Sequence, residues 1–249
     1  MIHDDTVPTL PAEAVRFLQT LAENNTTAWF AAHKPEYERA VLGPLRLLAL
    51  ALGPAMEALD PRLQLDPSGV VSRIRRDVRF ARDKSPFRST QWLAFKRRHK
   101  EWSGRPAFFM EFGPGMFRHG MGFYAAGGKT MSALRDLARE RPADYAEAME
   151  RAQSAGYALA GDEYKRPRVP SDSEDLPECV LELFRRRNVC MLRTGDPGEA
   201  VENPALPRQL ERGFAALAPL YRIWLEAVDR AEALDAAARE ALGFAAVFD

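Results

Sequence analysis

The feature that most limits the fold of this chain is a change of hydrophobic period. Up to about residue 60 apolar residues recur at helical spacing. Val15, Leu18, Leu21 and Ala22 mark one helix, Trp29 and Phe30 lie in a short second, and EYERAVLGPLRLLALALGPAMEAL reads as a third. Pro35 can open that third helix, Gly43-Pro44 should kink or divide it, and Asp60-Pro61 ends it. From Val70 the period falls to two, which predicts strands near Val70–Phe80, Gln91–Arg98, Ala107–Gly113 and Met116–Ala125. Gly113-Pro114-Gly115 is a tight-turn signal that makes the last two antiparallel neighbours. Helical spacing returns with Thr130 as the cap of MSALRDLARE and Pro142 opening ADYAEAMERAQSA. Tyr157–Asp175 reads as a polar connection, Leu176–Arg187 as a helix and Asn188–Arg193 as a short strand. From Leu206 the chain is helical again, with a stripe through Phe214, Leu217, Leu220, Tyr221 and Trp224. This order predicts an α+β fold: a central antiparallel sheet, a meander of about four to five strands, flanked by N- and C-terminal helices. Residues 1–249 are expected to form a single domain, with residues 1–9 a loose tail.

Charge narrows the search for a site. Lys and Arg balance Asp and Glu at 35 each, so the whole chain favours no partner. Between Val71 and Arg105, however, stand twelve Lys or Arg and only three Asp or Glu, and such a local excess attracts anions unless the protein neutralises it. Cys179 and Cys190 have neither metal-ligand spacing nor a CxxC pattern. The N-terminus lacks the basic and apolar regions of a signal peptide, and no uninterrupted apolar run reaches membrane-spanning length. A soluble cytoplasmic protein with reduced thiols and no membrane partner is the expectation.

The densest part of the basic region is Arg73–Ser89, RIRRDVRFARDKSPFRS, with seven basic residues and two aspartates. Read as a strand, it puts Ile74, Arg76, Val78 and Phe80 on one face and Arg73, Arg75, Asp77 and Arg79 on the other. The charged row is either a solvated sheet face or an anion site, since converging guanidinium forks suit phosphate and carboxylate. Arg76 falls on the apolar face and needs a partner, for which Glu111 in FFMEF is the candidate. Arg82-Asp83-Lys84-Ser85-Pro86 reads as a charged turn that can clamp a ligand or simply cap its own backbone. Lys96–Lys100, KRRHK, with Trp92 and Trp102 nearby for stacking, resembles a nucleic-acid patch or a solvated turn. His119 shares a face with Phe117, Met121 and Phe123 and reads as a core histidine; no spacing of ligands predicts a metal. The glycines of GPGMFRHGMGF follow a strand but open no helix, so they read as hairpin geometry, and no Walker, Rossmann or GxSxG motif is present.

These residues also carry a resemblance. Glu23-Asn24-Asn25 is followed by Trp29-Phe30 and His33-Lys34-Pro35-x-Tyr37. Then comes Arg73-x-x-Arg76-Asp77-x-Arg79-Phe80-x-x-Asp83-Lys84-Ser85-Pro86-Phe87-Arg88. Gly120-x-Gly122, Lys165-Arg166, Arg168, Pro170, Pro219 and Trp224-Leu225 complete the set. In these motifs the chain resembles the mostly bacterial domain-of-unknown-function family 2461 over nearly its whole length. Family members usually carry Ser where Ala81 stands, Tyr where Phe87 stands and Lys where Arg88 stands, so neither lost hydroxyl is an essential catalytic group here. The resemblance implies no activity and no cofactor. It implies that Asn25, Trp29, Arg76, Asp77, Arg79, Asp83 and Lys84 assemble around the sheet.

Three functional readings follow. The first is a pocket that binds, or acts on, a small anionic, phosphorylated ligand. Arg73, Arg76, Arg79, Lys84 and Arg88 would supply charge, Asn25 and Trp29 would complete the site, and Asp77 or Asp83 would orient the cations or act as a base. The second is a nucleic-acid binder using Lys96–Lys100 and the same arginines. The third is a structural or protein-interaction module whose charges pair internally.

Overall fold

The computed structural model describes residues 8–98, 102–167, 169–170 and 175–241. Most of the expected loose tail lies outside these residues. So do His99 and Lys100 of the basic run, and Arg168; the side chain of Trp102 is likewise not described. The α+β architecture stands as expected. Its sheet contains β1 (Gln91–Phe95), β2 (Pro106–Gly113), β3 (Met116–Phe123), β4 (Ala158–Ala160) and β5 (Cys190–Gly195). These are antiparallel in the order β1-β2-β3-β5-β4. The helices are α1 (Ala12–Glu23), α2 (Thr27–Tyr37), α3 (Gly43–Leu59), the short α4 (Pro67–Val70), α5 (Gly128–Glu140), α6 (Pro142–Ser154), α7 (Glu178–Arg185) and α8 (Leu206–Ala241).

The chain divides into two compact units, the first comprising the residues up to Arg98 with Phe108–Gly120 and Arg193–Ala215. In this unit β1 and β2 pair with Leu93 opposite Met110 and Phe95 opposite Phe108. Alternation along both strands buries that face, and Phe108 packs at 5.4 Å against Phe214 of α8. Pro114 and Gly115 make the tight turn to β3, and Gly115 takes the left-handed conformation (φ +70°) that favours glycine.

In the same unit Thr27–Leu59 is one helical stretch of 33 residues, long and apolar enough by composition to cross a membrane. Its stripe is buried within the unit, with Leu45, Leu48, Leu52 and Met56 all inaccessible or nearly so. Pro35 does not open a new helix but lies inside α2. The expected break at Gly43-Pro44 takes the form of a π-helical segment, Glu38–Leu42, in which the Gly43 N–H reaches back five residues to the Glu38 carbonyl. The wider turn accommodates a proline that has no N–H to donate.

The second unit comprises His99–Ala107, Met121–Leu192 and the residues from Ala216 onward. Its core is formed by Leu134, Tyr145, Met149, Val180, Leu183 and Trp224, and Phe123 stacks on Trp224 at 5.4 Å. A Cβ on Gly122 would stand 2.4 Å from the Cys190 Cβ, so the close approach of β3 to β5 needs glycine there.

Three further expectations are corrected. Val70–Phe80 is not a strand: it touches β1 at the isolated bridge Val71–Leu93, then turns back on itself through the bridge Arg75–Phe87. Thr130 does not cap α5, whose N-cap is Gly127; its side chain is buried in the first turn. Residues Ala158–Ala160, read as part of a polar connection, form β4 against β5 with Leu159 opposite Met191.

His119 is a core residue of the first unit, between Phe117 and the edge-on ring of Phe214. Burial, aided by the Arg193 charge, lowers its pKa from 6.5 to about 4. The unfolded chain therefore binds a proton between those values that the folded chain does not. Stability is expected to be full above pH 6.5 and to fall by roughly 3 kcal/mol as the pH drops to 4. The depressed carboxylates Asp66, Asp77, Asp83 and Glu140 act mostly below that window, because their ordinary values are 3.8 and 4.5. Urea unfolding across the range measures the slope, and His119→Gln, which cannot titrate, should flatten it between pH 6.5 and 4.5.

Candidate functional site

The basic stretch forms a narrow arm. At its root the Arg76 N–H donates to the Pro86 carbonyl and the Arg88 N–H to the Ile74 carbonyl, both at 2.9 Å. The arm is held by Asn25 from the corner between α1 and α2. The Asn25 side chain donates Nδ2 to the Phe87 carbonyl and accepts the Phe87 N–H on Oδ1, each at 3.0 Å. The side-chain amide thus replaces a strand partner. The Phe87 ring stacks at 4.2 Å on Phe30, and Phe30 meets Tyr37 at 5.4 Å. Trp29 lies between Phe17 at 5.7 Å and the stacked His33 ring at 4.0 Å, while His33 Nδ1 donates to the Trp29 carbonyl. Asn25 and Trp29 therefore touch the framework that carries the arm; no contact recorded among the described residues joins either to the charged side chains.

Three of the seven cations, Arg76, Arg79 and Lys84, are satisfied within the arm. Arg76 is half-buried and pairs with Asp83, not with Glu111, which accepts instead from Thr90 at 2.8 Å and Arg118 at 2.6 Å. Arg79 pairs with Asp77 at 2.7 Å, and Lys84 Nζ donates to the Val78 carbonyl at 2.9 Å. The bond to Arg79 holds the Asp77 carboxyl down at about 2, and bonds from Ser85 and then Arg76 hold Asp83 well below the usual carboxylate range. Carboxylates so held are weak bases near neutrality. Arg73 and Arg82 are exposed and have no ion-pair partner among the described residues. Arg88 lies 4.4 Å over the Trp92 ring, with its Nε buried and unpartnered. Phe80, on the predicted apolar face, is 96% exposed at the tip.

A second constellation, in the second unit, was not read from the sequence. Ser103, Arg105, Gly127-Gly128, Lys129 and Glu232 line a cleft of about 480 Å³ at the N-terminal end of α5. No side chain caps this helix and no acidic residue stands in its first turn, so its leading amides have no acceptor among the described residues. Arg105 is nine-tenths buried, reaching Glu232 at 2.6 Å and Asp229 at 3.3 Å, and its Nε is buried without a partner. Lys129 is exposed and pairs with Asp235. The available signal was Gly127-Gly128-Lys129-Thr130 between a strand and a helix. It escapes the phosphate-loop pattern because Gly122 stands one residue too far upstream. Among the described residues no cluster of His, Cys, Asp and Glu could hold a metal.

Residues 13–223 match the family described as conserved hypothetical protein (DUF2461), and the chain belongs to that family. No curated protein matches the chain. Within the family motifs quoted above, Asn25, Phe30 and Tyr37 meet Phe87 directly or through one ring at the root of the arm, and Trp29 lies one ring further off, on Phe17, which also meets Tyr37.

Asn25→Ala removes both bonds to Phe87 and leaves that backbone pair half-buried and unpaired. The expected loss is roughly 1–3 kcal/mol of unfolding free energy, read from the urea midpoint. A variant as stable as the wild type would show that the clamp is dispensable.

Proposed function

We propose that this protein binds a small anionic, phosphorylated ligand in the α5 cleft, and that it does so as a soluble cytoplasmic protein. The observation that carries the reading is the convergence of three kinds of donor on one cavity: the uncapped amides opening α5, the exposed ammonium of Lys129 and the buried guanidinium of Arg105. Helix N-termini favour anions through unpaired N–H groups and the helix dipole together. Arginine adds a planar fork and lysine a mobile point charge. The volume, about 480 Å³, suits a ligand of metabolite size. Neither Cys179 nor Cys190 is in a disulfide, which agrees with a reducing compartment.

The Arg73–Arg88 set supports this reading less well. Its central cations, Arg76, Arg79 and Lys84, already have partners in the arm. The cleft cations also have carboxylate partners, Asp229, Glu232 and Asp235, but these project from α8, an element separate from the one that presents the anion-binding amides. An arriving phosphate competes with them for Arg105 and Lys129.

Thermal unfolding with phosphate, pyrophosphate and nucleotides, against chloride at matched ionic strength, tests the reading. At least one phosphorylated anion should raise the Tm in a concentration-dependent way. Lys129→Ala should cut that shift by more than half, and Glu232→Gln with Asp235→Asn should enlarge it by freeing Lys129 and leaving Arg105 only its longer contact to Asp229. No shift with any anion, or an undiminished shift in Lys129→Ala, would overturn the assignment.

A further inference from the structure

We infer that the Arg73–Arg88 arm is a docking surface for single-stranded nucleic acid, with Phe80 as the base-stacking residue. This rests on observations separate from the α5 cleft.

Phe80 is the starting point. A phenylalanine left 96% exposed gives the fold no burial energy, and here it is presented by a tip that is hydrogen-bonded on both sides. On one side Asp77 accepts from the Arg79 N–H at 3.2 Å and from its guanidinium. On the other, Asp83 accepts from the Ser85 N–H at 2.9 Å and its hydroxyl at 2.6 Å. Lys84 ties the two sides by donating to the Val78 carbonyl. Both aspartates are thus used to shape the tip, and the ring between them is turned to solvent.

The charge around the ring names the partner's sign. Seven basic residues face two acidic ones between Arg73 and Arg88, and neither Arg73 nor Arg82 has a carboxylate partner among the described residues. Guanidinium and aromatic groups also alternate along the arm. Arg79 lies 5.9 Å from the Phe80 ring centre, Arg75 5.3 Å from Phe87, and Arg88 4.4 Å from Trp92. Arginines beside stacking rings are the means by which proteins hold single strands, with charge tracking the phosphates and rings taking the bases.

The ring then decides among anions. A small phosphate needs no aromatic partner, and a duplex hides the faces of its bases. An anionic membrane would use both charge and ring, but interfacial binding grows with inserted apolar area. Among the rings of the arm and its root only Phe80 is offered for insertion, since Phe87 is 2% exposed and Trp92 is half-buried beneath Arg88. A single strand, with an open base beside each phosphate, matches one offered ring among several free cations.

Fluorescence anisotropy with labelled oligo-dT and oligo-U tests the inference on the full chain. Binding should weaken steeply as salt rises. Phe80→Ala, at a fully exposed site, should fold as the wild type and lose about 5- to 150-fold in affinity, while Phe80→Trp should keep it. Arg73→Ala with Arg82→Ala should weaken binding and make its salt dependence shallower. Lys129→Ala should have no effect; if it abolished binding, the strand would be entering the α5 cleft and the inference would fail. It would equally fail if neither oligonucleotide bound at low salt, if Phe80→Ala bound as tightly as the wild type, or if phosphatidylserine vesicles bound while the oligonucleotides did not.

Discussion

The amide of Asn25 is the contact on which the arm depends. Residues 71–89 have almost no regular ladder of their own, only the bridges Val71–Leu93 and Arg75–Phe87. A narrow two-stranded projection of this kind is marginal in water unless packed or otherwise tied. Asn25 supplies both halves of a strand-like hydrogen-bond pair to Phe87 from the corner between two helices. Oδ1 and Nδ2 can do this because a carboxamide holds an acceptor and two donors in one plane, much as a peptide unit does. Aspartate lacks the donor, and a longer glutamine would shift the register, so the geometry is specific to asparagine. The stacking of Phe87 on Phe30 makes the same join apolar.

That dependence explains why motif residues far apart in the chain belong together. Asn25, Trp29 and Phe30 sit where α1 hands over to α2, Tyr37 closes α2, and Phe87 arrives fifty residues after Tyr37. Their shared membership in the family motif is satisfied by a mechanical role, which needs no ligand. Arg76, Asp77, Arg79, Asp83 and Lys84 form a second, outer layer whose bonds are short in sequence and fix the shape of the tip. The two layers meet through the backbone at Phe87 and Arg88, and side-chain chemistry does not have to pass between them.

The periods of the sequence made the helices, β1, β2, β3 and the long α8 legible, because burial on one face leaves a repeat that survives without knowledge of the partner. The Val70–Phe80 misreading has the same origin. Ile74, Val78 and Phe80 alternate as a strand would, yet Ile74 is buried and Phe80 is not, because alternation reports a backbone habit and pairing decides which face is covered. Arg76 shows the same limit. The need for a partner was legible, but Asp83 lies seven residues on across a turn that a straight strand does not make. The strand β4 is three residues long, too short to show any period. The cleft was hidden for a different reason. Arg105, Lys129 and Glu232 are separated by tens to about a hundred residues, and only folding brings them to one place.

The local excess of positive charge, which pointed to anions, is answered differently in its parts. Arg97 is buried against Asp60 at 2.5 Å, and a pair so enclosed is architecture, since opening it would strand a charge. Arg105 meets Asp229 and Glu232 of α8. In the arm the two aspartates take Arg76 and Arg79 and then have nothing left for Arg73, Arg82 and Arg88. The two surfaces therefore present different problems to an anion. At α5 it must displace carboxylates that already hold the cations, which favours a compact ligand of high charge density able to use the helix amides as well. On the arm the free cations are spread along an exposed edge around one open ring, where a single compact anion would reach few of them and an extended one several.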